Sequence, residues 1–406
     1  MQRFFPITPL VKIETIESQE YIEKLIYKRQ RAILMEVQLD NVTLKNEMWG
    51  DLYLTKDKCY NIVNGKFYNG RIISADSLQC AITEIDYMII KETYRFDFTL
   101  LQWYKATKGK IPQCIIDFII EQYRLKTELK GLTGELNETL YMKSKNRLNG
   151  IYGLFATAPV REEIIYNKED RDFHFAEEPD IDALFEKSKR GYWLPYQFGI
   201  WCTALARFEL YRGIKTVFKP DAPELTDFVY CDTDSVKYIG DVDWSEYNAE
   251  KIRLSTDSGA YATDSKGKTH YMGVFESEGC YDRFKSCGAK KYAYEKNGKL
   301  SVTIAGVEKK RGAEELKKHG GIEALKDGFV FREAGGLCAK YNDIPEVTET
   351  VIDGHIIPIT ANLYLSKSEY TLGDMEIYKR ILGLSKIVFD KLYSAWYTEE
   401  ADKSAE

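Results

Sequence analysis

Residues Phe228 to Tyr238 read FVYCDTDSVKY, two apolar, strand-like runs on either side of an Asp-Thr-Asp-Ser centre. Runs of this kind form β-strands, and Asp, Thr and Ser at their junction favour a tight turn. The stretch therefore predicts a β-hairpin with Asp232 and Asp234 at its bend. Residues two apart on a strand share a face, so both carboxylates are expected on one side. Hard oxygen ligands held that close suit Mg2+, which takes one or two carboxylates and completes its shell with water and phosphate oxygens. Such a donor set fits metal-assisted phosphoryl or nucleotidyl transfer. A turn aspartate alone carries no such meaning, because Asp is among the commonest turn residues. The rest of the chain decides.

A chain of 406 residues with 44% hydrophobic content can bury a large core and form two or three subdomains. The net charge of -6 excludes a generally basic coat, but the charge is unevenly spread. Eleven Lys and Arg fall between Arg283 and Lys318 and nine between Lys105 and Arg147, whereas Arg161 to Arg190 holds ten acids. An anionic polymer would find two basic tracts and avoid the acidic one. The eight cysteines contain no C-x-x-C pair and the four histidines do not cluster with them, so zinc is not expected and the thiols read as small apolar packing residues. The N-terminus, MQRFFPITPL, lacks a signal-peptide pattern, and no apolar run approaches the ~18 residues of a membrane span. A soluble, cytoplasmic protein with no membrane partner is expected, in the host cytoplasm if viral.

Residues 17 to 35 predict an amphipathic helix, and residues 36 to 98, including AITEIDYMII, a small sheet-rich insertion with Asn-Gly turns at Asn64-Gly65 and Asn69-Gly70. From Pro112 to Ala156 two helices follow, broken near Gly131 and Gly134. Residues 159 to 195 are acidic and read as an excursion, QFGIWCTALARFELYRGI as a buried helix feeding the aspartate hairpin, and Asn297-Gly298 as the type I′ turn of a further hairpin. Lys290 and Tyr292 would share a face of its first strand, and Asp374 to Trp396 reads as an amphipathic helix.

Within the second helix of the pair, Lys145, Asn149, Tyr152 and Gly153 stand at i, i+4, i+7 and i+8, on one face. Lys supplies a point charge to a triphosphate, Tyr a stacking surface and Gly room for close approach. A solvated face with a core tyrosine would account for any one of them; four aligned on one strip fit that reading less well.

With these residues in hand, the chain resembles the family B DNA-directed DNA polymerases, in the phage and mobile-element branch that includes protein-primed enzymes. KNRLNGIYG from Lys145 to Gly153 is similar to the family's second polymerase motif, with Gly150 in place of the usual Ser, and Tyr230 to Ser235 matches its third motif without departure. Lys290-Lys291-Tyr292 resembles the branch's Lys-x-Tyr element, TIAGVEKK the approach to its thumb, and KATKGK followed by YRLKT the start of its fingers.

The resemblance implies an α+β right-hand polymerase: an antiparallel palm sheet, helical fingers and a small thumb. It divides the chain into a palm segment at 1–110 with the insertion at about 36–98, fingers at 111–158, an acidic insertion at 159–200, palm with the catalytic hairpin at 201–305, thumb at 306–345 and a C-terminal extension at 346–406. Asp232 and Asp234 would be catalytic and hold two Mg2+ ions, with Mn2+ an alternative, Asp234 being the more direct ligand. Lys126 and Lys145 would hold the incoming triphosphate, and Asn149, Tyr152 and Gly153 would border the nascent base pair. Tyr230, Thr233, Lys290 and Tyr292 would contact DNA. The partners implied are primer-template DNA, deoxynucleotides and, through the insertion, a priming protein.

One departure matters. The family's first motif, an Asp followed closely by Ser, Leu or Ser, Tyr and Pro, does not occur, although Phe5-Pro6 resembles the pair that follows it; the proofreading exonuclease motifs are absent as well. The chain is therefore expected to be N-terminally incomplete, and to polymerise DNA poorly or not at all unless a second, N-terminal polymerase chain completes it. The competing expectation is an inactive, polymerase-derived module that holds primer-template through Lys290 and the Lys309 to Arg311 region. A carboxylate-metal nuclease is a third and weaker one, because no further acidic cluster or His accompanies the pair.

Overall fold

The computed structural model describes residues 4–28, 31–45, 53–68, 70–156, 164–167, 172–175, 195–217, 227–332, 334–335, 337–352, 355–367 and 369–372. They fall into two units, residues 1–165 with 175–276 and residues 166–174 with 277–406. The sequence reading of Asp374 to Trp396 and most of the acidic 159–195 tract lie outside the described residues.

The first unit begins with β1 (Phe5–Pro6), β2 (Val11–Ile13) and a helical turn, α1 (Gln19–Glu23), that runs on as a π-helical segment through Lys24–Lys28. Ser18 caps α1, its hydroxyl accepting from the Tyr21 N–H at 3.2 Å. The helix expected over 17–35 is thus shorter. From Ile33 the buried residues fall at every second position, Ile33, Met35, Val37 and Leu39, which is the period of a strand, and the chain forms β3 (Ala32–Leu44). Next come β4 (Cys59–Val63), β5 (Lys66–Tyr68) and β6 (Arg71–Thr83), then α2 (Glu84–Thr93), β7 (Tyr94–Ala106) and β8 (Lys108–Gly109). The strands form an antiparallel sheet in the order β2-β7-β3-β6-β4, with β5 also on β6, and β1 pairs with β8.

A strand-like reading of AITEIDYMII does not survive past Thr83. The Thr83 hydroxyl accepts from the Asp86 N–H at 3.2 Å while the Asp86 carboxylate accepts from the Thr83 N–H at 3.1 Å. This capping box satisfies two otherwise orphaned donors and starts a helix where apolar alternation alone suggests a strand. The helix then lays Tyr87 and Ile90 against Val37, Leu39, Leu78 and Trp103 in the core of the unit.

The helix pair follows as α3 (Gln113–Glu128) and α4 (Glu135–Phe155), joined through Gly131 and Gly134, both at positive φ. Beyond a two-stranded ribbon, β9 (Ile164–Asn167) with β10 (Asp172–Phe175), comes α5 (Tyr196–Val217). Its Phe198, Trp201 and Ala204 pack with Phe5, Ile115, Ile116 and Phe155 in a second apolar cluster. Two ionic networks tie α5 to α2. The buried Glu84 carboxylate accepts from Trp201 Nε1 at 3.0 Å and from the Ile33 N–H at 2.9 Å, and pairs with Lys108 at 2.7 Å. Asp86 pairs with Arg207 at 2.7 Å and also accepts from the Tyr53 hydroxyl. Burial pushes Asp86 up, but Arg207, Tyr53 and the Thr83 N–H together outweigh it and hold the carboxyl below its ordinary value. The unit continues with β11 (Asp227–Asp232), β12 (Ser235–Ile239), α6 (Ser245–Ser258), β13 (Tyr261–Thr263) and β14 (Thr269–Tyr271).

The second unit contains an antiparallel sheet of β15 (Arg283–Ser286), β16 (Lys291–Lys296) and β17 (Lys299–Ile304). The turn between the last two is Asn297-Gly298, with φ of 51° and 71°, as a type I′ hairpin requires. Ala293, Val302 and Ile304 pack on Leu316 of α7 (Lys309–Lys318) and on Ile322 and Phe331. Two further ribbons complete it: β18 (Val330–Phe331) and β19 (Leu337–Ile352) pair with β21 (Tyr370–Thr371) and β20 (His355–Lys367) respectively. Lys290 departs from its expected place on the strand with Tyr292. It sits in the preceding turn at φ 54°, its carbonyl accepting from the Ala305 N–H at 3.1 Å, and the strand begins one residue later.

Candidate active site

Strands β11 and β12 are the expected hairpin, with Asp232 opposite Ser235 and Thr233-Asp234 as a two-residue turn. The apolar runs on either side account for the pairing. They do not announce the β-bulge, in which Val229 is left unpaired between Phe228 and Tyr230. A bulge bends and twists a ribbon locally, and so re-aims the side chains beyond it. Below the tip, Tyr230 is buried. On the β12 side, a Cβ added at Gly213 of α5 would stand 3.4 Å from Val236 Cγ2 and 2.8 Å from the Phe275 ring, so glycine lets the helix pass directly beneath the ribbon. Trp244 donates to the Tyr238 hydroxyl at 2.9 Å and packs tilted against Phe275 at 4.7 Å between ring centroids.

The tip itself is strained and exposed. Thr233 has φ 52°, a left-handed conformation that costs a β-branched residue on the order of 1 to 3 kcal/mol. Three short-range bonds hold it. The Asp234 N–H donates to the Asp232 carbonyl at 2.6 Å, the Thr233 hydroxyl to the Asp232 carboxylate at 2.9 Å, and the Ser235 hydroxyl to the Asp232 carbonyl at 3.2 Å. Asp232 is half-buried at the strand end, and Thr233 and Asp234 are exposed. The carboxylates therefore sit at neighbouring places on one tip, one on a strand and one in the turn, rather than two apart along a strand.

On α4, Lys145, Asn149, Tyr152 and Gly153 are all exposed. A Cβ built on Gly150 or Gly153 would meet no heavy atom within 4 Å. Glycine inside a helix costs about 1 kcal/mol relative to Ala, and among the described residues no side chain crowds the Cβ position at Gly150. Lys126, on α3, is half-buried with its ammonium 5.5 Å from the Tyr123 ring centroid. Burial pushes the Lys126 ammonium below the ordinary lysine value, the charges of Lys130 and Lys145 push the same way, and that of Asp234 opposes them. Lys126 thus lies within electrostatic reach of Lys145 on α4 and of Asp234 at the hairpin tip. A half-buried lysine crowded by two cations is set up to gain from an incoming anion.

Sequence reading missed Tyr123, three residues before Lys126 on α3, and Lys130, in the turn just past the helix end. It also missed a clasp behind α3. His270 lies 3.0 Å from Asp264 and 3.1 Å from Glu276, and the Ser265 hydroxyl reaches the Lys130 carbonyl at 3.3 Å. The His270 hydrogen bond, with the Lys268 and Lys266 N–H groups, draws Asp264 down to about 2. Lys290 and Tyr292 belong to the second unit, where Tyr292 adjoins Phe284 at 5.3 Å between centroids. As a metal site the tip offers two carboxylates and no more; among the described residues no group of three or more His, Cys, Asp or Glu is placed to hold an ion. That suits an Mg2+ site completed by water and phosphate oxygens and does not suit a closed, all-protein site.

No family model matches the chain, and no curated protein matches it. Solved structures do. The chain is similar to Phi29 DNA polymerase complexed with primer-template DNA and incoming nucleotide substrates, at 17% identity and a TM-score of 0.55, covering 91% of this chain and 55% of that one. It is similar also to Phi29 DNA polymerase in a post-translocation binary complex with primer-template DNA, at 16% identity and a TM-score of 0.53, with the same coverage, and to its complex with single-stranded DNA, at 16% and 0.51. The chain thus has a DNA-polymerase-like fold and spans 55% of the length of the polymerases it matches. No described helix is long and apolar enough to cross a membrane.

Proposed function

We propose that this chain is the polymerase portion of a family B, protein-primed-like DNA polymerase and carries out DNA-templated DNA synthesis by two-metal nucleotidyl transfer. The observation that carries the reading is the convergence of Asp234 of the hairpin and Lys145 of α4 on Lys126 of α3. A carboxylate tip within electrostatic reach of a helix-pair lysine suits a metal-bound triphosphate, with the cations on the phosphates and the carboxylates on the metal. In this reading α3 and α4 are the fingers, β11 and β12 the centre of the palm, and the basic α7 the start of the thumb.

Asp234 and Asp232 would hold the ions, Mg2+ or Mn2+. When bound, these supply Lewis-acid activation of the primer 3′ hydroxyl and charge neutralisation at the leaving pyrophosphate. The chain's own residues position the reactants. Lys126 and Lys145 hold the triphosphate, Tyr152 and Asn149 border the base pair, Gly150 and Gly153 leave room for its close approach, and Tyr230 and Thr233 set the carboxylate tip against the DNA. Lys290 and Tyr292 contact the primer, and the β3-to-β7 sheet meets the priming protein.

The tip also leaves room for a further strand. Among the described residues β11 and β12 form a sheet of two strands only, with Val229 and Ile239 exposed. A lone ribbon is marginally stable and its edges accept a further strand. A third strand bringing one more carboxylate would complete both sheet and metal site. The two-carboxylate tip equally favours a second reading, a primer-template binding module without chemistry. Primer extension with Mg2+ and four deoxynucleotides separates them, run on the chain alone and with an N-terminal polymerase polypeptide carrying the family's first motif. Extension in the mixture, lost with Asp234→Asn, is expected. Silence in both with primer-template binding intact establishes the binding module.

A further inference from the structure

Cys59 and Cys80 lie directly opposite one another on β4 and β6, an antiparallel pair. Opposed residues of an antiparallel pair point to the same face of the sheet. Both thiols accordingly enter the same core cluster, each 1% exposed. Cross-strand Cα atoms stand about 4.5 or 5.5 Å apart according to pair type. Both values fall inside the Cα window of roughly 4.4 to 6.8 Å within which a disulfide closes without backbone movement. No role in nucleotidyl transfer draws on either residue.

We propose that Cys59 and Cys80 are a reversible redox pair, closed to a cross-strand disulfide by a low-molecular-weight disulfide oxidant. The order of events follows from the sheet. Among the described residues β4 is the sheet's edge strand, so local opening frees Cys59 first, while Cys80 lies on β6 between β4 and β3. The Cys59 thiolate attacks one sulfur of the oxidant, breaking its S–S bond and releasing one thiol. On reclosing, Cys80 attacks the mixed disulfide at the Cys59 sulfur and releases the second thiol. Two protein thiols are oxidised to one disulfide, one small disulfide is reduced to two thiols, and the two cysteine protons pass to these. In the closed sheet the reaction is suppressed. The adjoining Cys59 thiol, burial and the nearby Asp86 all push the Cys80 thiol well above its ordinary value, which withholds the thiolate until the edge opens. Closure then pins the edge strand to the sheet.

The test uses the full chain, equilibrated with reduced and oxidised glutathione over a range of ratios, alkylated, digested without reduction and mapped by mass spectrometry. The expected product is a peptide pair joined through Cys59 and Cys80, reversed by dithiothreitol, in a protein whose thermal midpoint rises by about 5 °C on oxidation. The pair should be lost in Cys59→Ser and Cys80→Ser and kept when the exposed Cys114 and Cys280 are both replaced by Ser. Should a serine variant fail to fold, the map of the unaltered chain decides alone. Glutathione on Cys114 and Cys280 with no Cys59–Cys80 peptide, or a mixed disulfide that persists on Cys59, overturns the proposal.

Discussion

The β3-β6-β7 sheet and the β11-β12 hairpin are both antiparallel and both made from apolar strand sequences, yet they are held in opposite ways. The sheet is over-determined. Its strands bury Ile33, Met35, Val37, Leu39, Leu78 and Trp103, and the buried Glu84 and Asp86 bind its helix α2 to α5. The hairpin is a two-stranded ribbon with a bulge on one strand, a threonine at positive φ in its turn and its carboxylates near water. Stability sits in the first region and the candidate chemistry in the second, with α5 connecting them beneath Val236. Strained residues persist where surrounding structure fixes them, and they cluster where chemistry is done.

The comparison breaks most sharply at Asp234. In the proposed polymerase, Asp234→Asn should lower metal-dependent primer extension by about 10^3-fold or more, the scale on which removal of a key charge acts, while leaving the thermal midpoint within about 1 °C. Stopped-time extension assays beside calorimetry measure both.

The reverse case is Arg207→Met. Leaving Asp86 buried without its cation should cost about 3 kcal/mol of stability near pH 7, read by urea denaturation. The pH dependence should also change sign. In the native chain Asp86 is held below its unfolded value, so its contribution is present above the unfolded carboxyl range near pH 4 and is lost as pH falls through the lower folded value. In the variant burial acts with less opposition, the folded value rises above the unfolded one, and acidification from pH 7 toward 4 should recover stability rather than remove it.

Lys126→Met sharpens the division further. Deoxynucleotide binding should weaken by about tenfold, the loss of one charge-assisted contact, with the unliganded chain no less stable. Because the Lys126 value is lowered on folding, the unfolded state binds more protons there. Its cost to the native chain therefore fades as pH rises through the folded toward the unfolded value, and titration of the two proteins at alkaline pH should converge. The smallest effect belongs to Thr233→Gly. Relief at φ 52° should stabilise the chain by about 0.5 kcal/mol or less and reduce extension modestly, through a looser tip.

Much of this architecture is written locally. The FVYCDTDSVKY ribbon, the α3-α4 pair, α5 and the Asn297-Gly298 turn follow from period and turn chemistry within a dozen or so residues each. What escaped depends on partners far along the chain or on a single backbone angle. The helix over 17–35 ended early because Ile33 to Leu39 pair with β6 and β7, some 40 and 70 residues away. The α2 helix turned on the Thr83-Asp86 box, and the Lys290 turn on φ 54°, which no apolar pattern records. The candidate site was legible as residue types. The approach of Asp234 to Lys126 was not, because it joins segments about 100 residues apart.

A double-mutant cycle measures that approach directly. Binding of a deoxynucleotide with Mn2+ to the unaltered chain, Lys126→Met, Asp234→Asn and the double variant, followed by calorimetry and by the Mn2+ spin-resonance signal, gives the coupling between the two residues directly. A coupling of about 1 kcal/mol or more is expected, the two sites sharing one metal-bound triphosphate. Additive losses, with each variant weakening binding independently of the other, would contradict it.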